Sequence, residues 1–96
     1  DTPQSPLCSI YPNPFRDRIN ITFNTAYKGE FIQLKIYDVT GRLVKDLSCL
    51  TPYALCSMHI TWQGDDHIGR RVPNGVYFVS LETGDNSEIR KIVVLK

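Results

Sequence analysis

The sequence predicts an all-β fold, a seven-stranded antiparallel sandwich. Short runs in which apolar and polar residues alternate recur along the chain, the period-two signature of half-buried strands. Turn-forming residues separate the runs at roughly 8 to 12 residue intervals, the rhythm of a sandwich. No stretch carries a clean helical period, and the one candidate, residues 47–58, is interrupted by Pro52, which cannot sit inside a helix without breaking it. A barrel of the same strands is the alternative architecture.

Residues 1–6 contain Pro3 and Pro6 and read as a linker, because proline cannot donate to a ladder. The folded domain is expected over 7–96. Leu7 to Tyr11 forms the first strand, halted by Pro12-Asn13-Pro14, where two prolines fix an extended turn. Ile19 to Phe23 alternates with Ile19, Ile21 and Phe23 on one face and Asn20 and Thr22 on the other. After the turn Tyr27 to Glu30, the strand Phe31 to Asp38 places Ile32, Leu34 and Ile36 inward and Gln33, Lys35 and Tyr37 outward. Asp38 to Gly41 is a tight turn with Gly41 left-handed, and Arg42 to Leu47 returns as the second arm of a hairpin. Residues 48–57 are irregular. Met58 to Trp62 alternates again, with Ile60 and Trp62 toward the core and His59 and Thr61 toward water. A polar, Gly-rich bend follows, and Gly75 opens the last hairpin, Val76 to Glu82 and Ile89 to Leu95 around Thr83 to Asn86.

Ninety-six residues with 42% apolar content and ten aromatics suffice for one core and one domain. The formal charge of +1, from 11 basic and 10 acidic residues, favours neither nucleic acid nor an anionic membrane surface. Adjacent Arg70-Arg71 and Arg90-Lys91 are ordinary for a solvated surface. The longest apolar run, Ile92 to Leu95, is far short of the roughly 20 residues of a bilayer span. The chain opens at Asp1 without a start methionine or leader, as an excised module or processed product does.

Cys8, Cys49 and Cys56 show no zinc-ligand spacing to one another or to His59 and His67. Cys49 and Cys56 flank Leu50 to Leu55. They are either two thiols or a small disulfide loop contributing roughly 2 to 3 kcal/mol, which an exported domain permits. Cys8 is then a small buried hydrophobe or an odd thiol.

Chemistry is thinly represented. Asp65 and Asp66, with Asp38 and Asp85, invite a calcium reading, but the bend from Gly64 to Gly69 lacks the alternating ligand register of a calcium loop; a solvated turn is the expectation. His67 beside Asp65 and Asp66 has no nucleophile placed by a recognisable motif. Asn20-Ile-Thr22 has glycosylation spacing; were the chain bacterial this would mean nothing, and Asn20 would simply face solvent on its strand. Trp62, Gly64 and Tyr77 suggest a sugar-stacking platform, although alternation with Ile60 makes Trp62 a core plug. No enzyme activity and no cofactor are expected.

The last two strands are apolar on both faces. Val76 and Phe78 lie opposite Tyr77, Val79 and Leu81, and Ile92 to Leu95 alternates nothing polar. Either this is a central strand pair, or its outward face docks on something. A strand that ends the chain also offers a free edge that another protein, or a second copy in a dimer, can pair with.

Four motifs in fixed order carry a resemblance: Ile10 to Phe15; Ile32 to Val44 with its Tyr-Asp-Val-Thr-Gly-Arg-Leu-Val; Trp62 to Phe78 with its Gly-Asp-Asp bend and Val-Pro-Asn-Gly-Val-Tyr-Phe; and Lys91 to Lys96. Over about residues 7 to 96 the chain resembles the C-terminal sorting domain of type IX secretion substrates of the Bacteroidota. It is most similar to the subset related to the Ig-like domain of the flagellar hook-capping protein. The resemblance implies a seven-stranded Ig-like sandwich following an N-terminal cargo domain, and no catalysis. It implies passage to the periplasm, recognition by the outer-membrane translocon and cleavage by a surface sortase-like peptidase, ending on the outer-membrane surface or outside the cell. The implied sorting-signal positions are Pro12, Asn13, Pro14, Gly75, Tyr77, Lys91, Ile92, Val93, Val94, Leu95 and Lys96. Gln63 and the three cysteines depart from the family pattern. The alternative is an Ig-like spacer or carbohydrate-binding module of a multidomain secreted protein.

Overall fold

The computed structural model describes residues 8–24, 31–50, 57–83 and 86–95, and every element among them is a β-strand. In chain order these are β1 (Cys8–Tyr11), β2 (Ile19–Asn24), β3 (Phe31–Asp38), β4 (Leu43–Asp46), β5 (Cys49–Leu50), β6 (Ser57–Trp62), β7 (Gly75–Thr83) and β8 (Asn86–Val94). All seven expected strands are present, and β5 is an eighth, two residues long. They form two antiparallel sheets, one ordered β1-β2-β6 and the other β4-β3-β7-β8 with β5 also on β3. The architecture is the predicted Ig-like sandwich.

Alternation explains the core. Ile19 and Ile21 from β2 and Trp62 from β6 face Leu34 and Ile36 from β3, Tyr77, Val79 and Leu81 from β7, and Ile92 and Val94 from β8, in one buried cluster. Gln33, one step out of phase, is exposed, and Lys35 and Tyr37 are half-buried. A one-residue slip would exchange these two sets, so burial itself fixes the register. The side chains of Phe23, Ile32 and His59, the turn at 27–30 and the linker lie outside the described residues.

Three departures from expectation have local causes. Tyr37 pairs with Leu43 while the neighbouring Ile36 pairs with Lys45, so Val44 is an extra residue on its strand. This β-bulge turns Val44 into the core, where it is 5% exposed. Next, β4 stops at Asp46 because its carboxylate Oδ1 accepts a hydrogen bond from the Ser48 N–H at 2.9 Å, a turn closed by a side chain. The Ser48 hydroxyl then accepts the Leu34 N–H at 3.0 Å. It stands in for a strand carbonyl and steers Cys49–Leu50 back onto Phe31 and Ile32, within a segment expected to be irregular. Finally, β8 begins at Asn86 rather than Ile89 and pairs with β7 through Thr83↔Asn86; polar Asn86, Ser87 and Glu88 concealed its start.

Of the two strands expected to form a central pair, only β7 is central; β8 is the last strand of its sheet. β7 runs between β3 and β8, with Tyr77, Val79 and Leu81 in the core and Val76 and Phe78 half-buried on the outer face.

Candidate functional site

Residues far apart in sequence converge on the C-terminal strand. On one side β8 pairs with β7, Ile92 opposite Tyr77 and Val94 opposite Gly75, and both β8 side chains are fully buried. As the last strand in its sheet order, β8 was expected to leave its other edge open at Ile92 to Leu95. It does not. The Asn13 side-chain amide donates from Nδ2 to the Lys91 carbonyl at 3.0 Å and accepts the Val93 N–H on Oδ1 at 3.0 Å. Phe15 continues the row, its N–H donating to the Val93 carbonyl at 3.0 Å and its carbonyl accepting the Leu95 N–H at 2.9 Å. An asparagine side chain is a peptide group on a short stem, so it supplies one donor and one acceptor as a strand would. This clasp corrects the open-edge reading: between Lys91 and Leu95 the strand is bonded on both sides.

An aromatic column sets the clasp in place. Phe15 is 1% exposed and packs on Trp62 with ring centroids 5.6 Å apart; Trp62 meets Tyr77 edge-on at 5.8 Å. Tilted and edge-to-face pairs of this kind are favourable beyond the area they bury. The Trp62 indole N–H donates to the Asp65 carbonyl at 2.8 Å, so the ring is a plug with its one polar group satisfied and offers no stacking surface to a sugar. The Tyr77 hydroxyl donates to the Pro73 carbonyl at 2.8 Å, tying β7 to the segment just before it. Burial, helped by nearby Asp38, pushes the Tyr77 phenol above its ordinary value. Gly75 enters the strand at φ 152°, a conformation side-chain-bearing residues rarely adopt. An added Cβ would meet nothing within 4 Å, so the backbone angle, not space, calls for glycine there.

The polar bend after Trp62 is a closed hairpin, not an open ligand loop. The Asp66 carboxylate Oδ1 accepts the N–H groups of Ile68 at 3.0 Å and Arg70 at 2.9 Å. The Arg70 N–H chiefly, opposed by desolvation, holds that carboxyl below the ordinary value. Asp65 Oδ2 receives the Lys45 ammonium at 3.0 Å, and the same ammonium reaches the Asp66 carbonyl at 3.3 Å. Asp66 Oδ1, Asp65 Oδ2 and the Asp66 carbonyl are thus engaged by protein donors. Among the described residues no group of three or more His, Cys, Asp or Glu gathers in one place. His67 is exposed on the turn.

The anticipated site residues fall into two groups. Pro12, Asn13, Pro14, Lys91 and Leu95 are exposed, with Val93 and Gly75 half-buried; Tyr77, Ile92 and Val94 are buried. Lys96, Cys56 and the side chains of Cys8 and Cys49 lie outside the described residues. Reading the sequence missed Phe15, which supplies both the backbone half of the clasp and the ring that anchors it. Its place directly after a double-proline turn was the available signal.

Residues 9–95 match the family described as the secretion system C-terminal sorting domain. Solved structures share the fold. Dimeric latent PorU from Porphyromonas gingivalis is 24% identical with a TM-score of 0.73, the match covering 92% of this chain and 9% of that one. PorZ, an essential bacterial surface component of the type-IX secretion system of the same organism, is 27% identical with a TM-score of 0.64, covering 93% of this chain and 11% of that one. The chain thus spans far less than two thirds of either. No curated protein matches the sequence.

Proposed function

The chain belongs to the family of secretion-system C-terminal sorting domains, and on that premise we propose how its residues divide the work of the signal. A domain of this family sorts type IX cargo, works with the secretion machinery, is joined to a cargo chain, and is exported to the cell surface or beyond; the family is in general non-catalytic. In our reading Lys91, Val93, Leu95 and Lys96, with Pro12 to Pro14 alongside, are the surface a receptor touches. Ile92, Val94, Tyr77 and Gly75 are positioning residues that hold this surface in register. The receptor is the outer-membrane translocon, reached through the periplasm, and a sortase-like peptidase acts afterwards. Residues 1–6 link to the cargo, and no chemistry is performed by the domain itself.

The observation that carries this reading is the clasp, which joins the first family motif to the last across 78 and 80 residues of chain. The test fuses residues 1–96 behind a periplasmic reporter in a host competent for type IX secretion. Surface display that disappears on deleting 91–96 is the expected outcome. Display that never occurs, or that survives the deletion, would sink the proposal.

A further inference from the structure

Two segments of the chain carry the same pattern, Asp-x-x-Gly-Arg-x-Val, at Asp38 to Val44 and at Asp66 to Val72. They also fold alike. The Gly41 N–H donates to the Asp38 carbonyl and the Gly69 N–H to the Asp66 carbonyl, each at 3.0 Å; Asp38 and Asp66 donate their own N–H to the Arg42 and Arg70 carbonyls at 3.0 and 2.9 Å. Each aspartate Oδ1 accepts the N–H of its arginine, at 3.0 and 2.9 Å. Val44 and Val72 are each 5% exposed, in the same core.

Backbone and carboxylate therefore close both turns without help from the arginine side chains. Those side chains add only Nε contacts to the aspartate Oδ2, at 3.4 Å for Arg42 and 3.9 Å for Arg70, with the arginines 81% and 76% exposed. Pairs so exposed contribute little to stability. Closing a turn does not explain an arginine at the same place in both.

The two turns border one cleft of about 430 Å³, with Leu43, Ile68, Pro73 and Tyr77 also in its lining, a volume typical of ligand sites. Ile68 is 69% exposed and Leu43 37%. Asp38 and Asp66 set two negative charges against the positive charges of Arg42, Arg70 and Arg71, which leaves the lining net positive. Arg71, a third cation of the lining, donates to the Arg16 carbonyl. What faces outward is a pair of guanidinium groups beside apolar side chains. The cleft lies at the end of the sandwich where the chain's last strand finishes, since Asp38 pairs with Tyr77 and Tyr77 with Ile92.

We infer that this cleft docks an extended acidic segment of a partner protein, its carboxylates on Arg42 and Arg70 and its apolar side chains on Leu43 and Ile68. The partner's identity as a component of the secretion machinery rests on the sorting-domain reading; the binding itself does not. Planar guanidinium groups match carboxylates in two-pronged fashion, and the neighbouring apolar rim favours a peptide over a bare anion.

The test titrates the ¹⁵N-labelled 96-residue chain with a capped hexapeptide of alternating leucine and glutamate. Saturable shifts confined to the amides of 38–43 and 66–72 are expected, weakened about tenfold or more in the Arg42→Gln, Arg70→Gln double variant. Retention of the remaining spectrum shows that the variant is folded. Absent or scattered shifts overturn the inference, as do equal shifts in the double variant. So does reproduction of the effect by inorganic phosphate or by a capped hexapeptide of alternating leucine and lysine. Display of the reporter separates the two readings. If the double variant loses the peptide yet is displayed normally, the identification of the partner with the secretion machinery is overturned, while the binding and the role of residues 91–96 stand.

Discussion

Replacing Asn13 with alanine removes both side-chain hydrogen bonds of the clasp, to the Lys91 carbonyl and from the Val93 N–H, each 3.0 Å long. Asn13 is exposed, so water takes over part of what is lost. Two bonds at the low end of the usual range are worth about 1 kcal/mol together. An energy of this size corresponds to about a fivefold change in a local opening equilibrium. Amide hydrogen exchange followed by NMR reads it directly. In the parent chain the Val93 and Leu95 amides are protected although they point away from β7, and Asn13→Ala speeds Val93 exchange about fivefold and Leu95 less. Ile92 and Val94, which pair with β7, keep their protection. Asn13→Asp refines the result, because a carboxylate still accepts the Val93 N–H but has nothing to donate to Lys91; Val93 protection should largely survive it. If Val93 exchanges in the parent at the rate of an open strand, or if alanine leaves it unchanged, the clasp does not hold the strand as argued.

Two further outcomes follow from the core and the carboxylates. Phe15→Ala, at a site 1% exposed, costs about 3 to 5 kcal/mol by chemical denaturation, whereas Tyr11→Ala, 52% exposed, stays within about 0.5 kcal/mol; comparable losses at the two positions would refute the assignment of Phe15 to the core. Asp38, Asp46 and Asp66 all lie below the 3.8 of a free aspartate, held there chiefly by the Thr40 hydroxyl, the Ser48 hydroxyl and the Arg70 N–H respectively. The folded chain therefore binds these protons more weakly than the unfolded chain. The resulting stability is present above 3.8 and drains away as pH falls through the lower folded values, so a denaturation midpoint that stays flat from roughly pH 5 to 2 contradicts it.

Much of the fold was legible because burial acts on period. Ile19 and Ile21, Leu34 and Ile36, and Tyr77, Val79 and Leu81 each alternate along a strand, and each set is buried. What escaped depended on single side chains taking the place of backbone. The Ser48 hydroxyl standing in for a carbonyl created β5, and a bulge turned Val44 inward; neither leaves a mark on hydrophobic alternation. The family motifs pointed to Asn13 and to Lys91 through Leu95 as separate places. That one grips the other is a contact across the length of the chain, and no local pattern encodes it. The likeness of the turns at Asp38 and Asp66 went unread in the sequence, and the shared cleft gives their repetition a meaning.

The position of the clasp residue also bears on chemical ageing. Asparagine converts to aspartate when the next residue's backbone nitrogen, shedding its hydrogen, attacks the side-chain carbonyl; Asn13 is followed by Pro14, whose nitrogen has no hydrogen to shed. For a domain kept outside the cell, the amide gripping its final strand is thus guarded from this reaction by the residue that follows it.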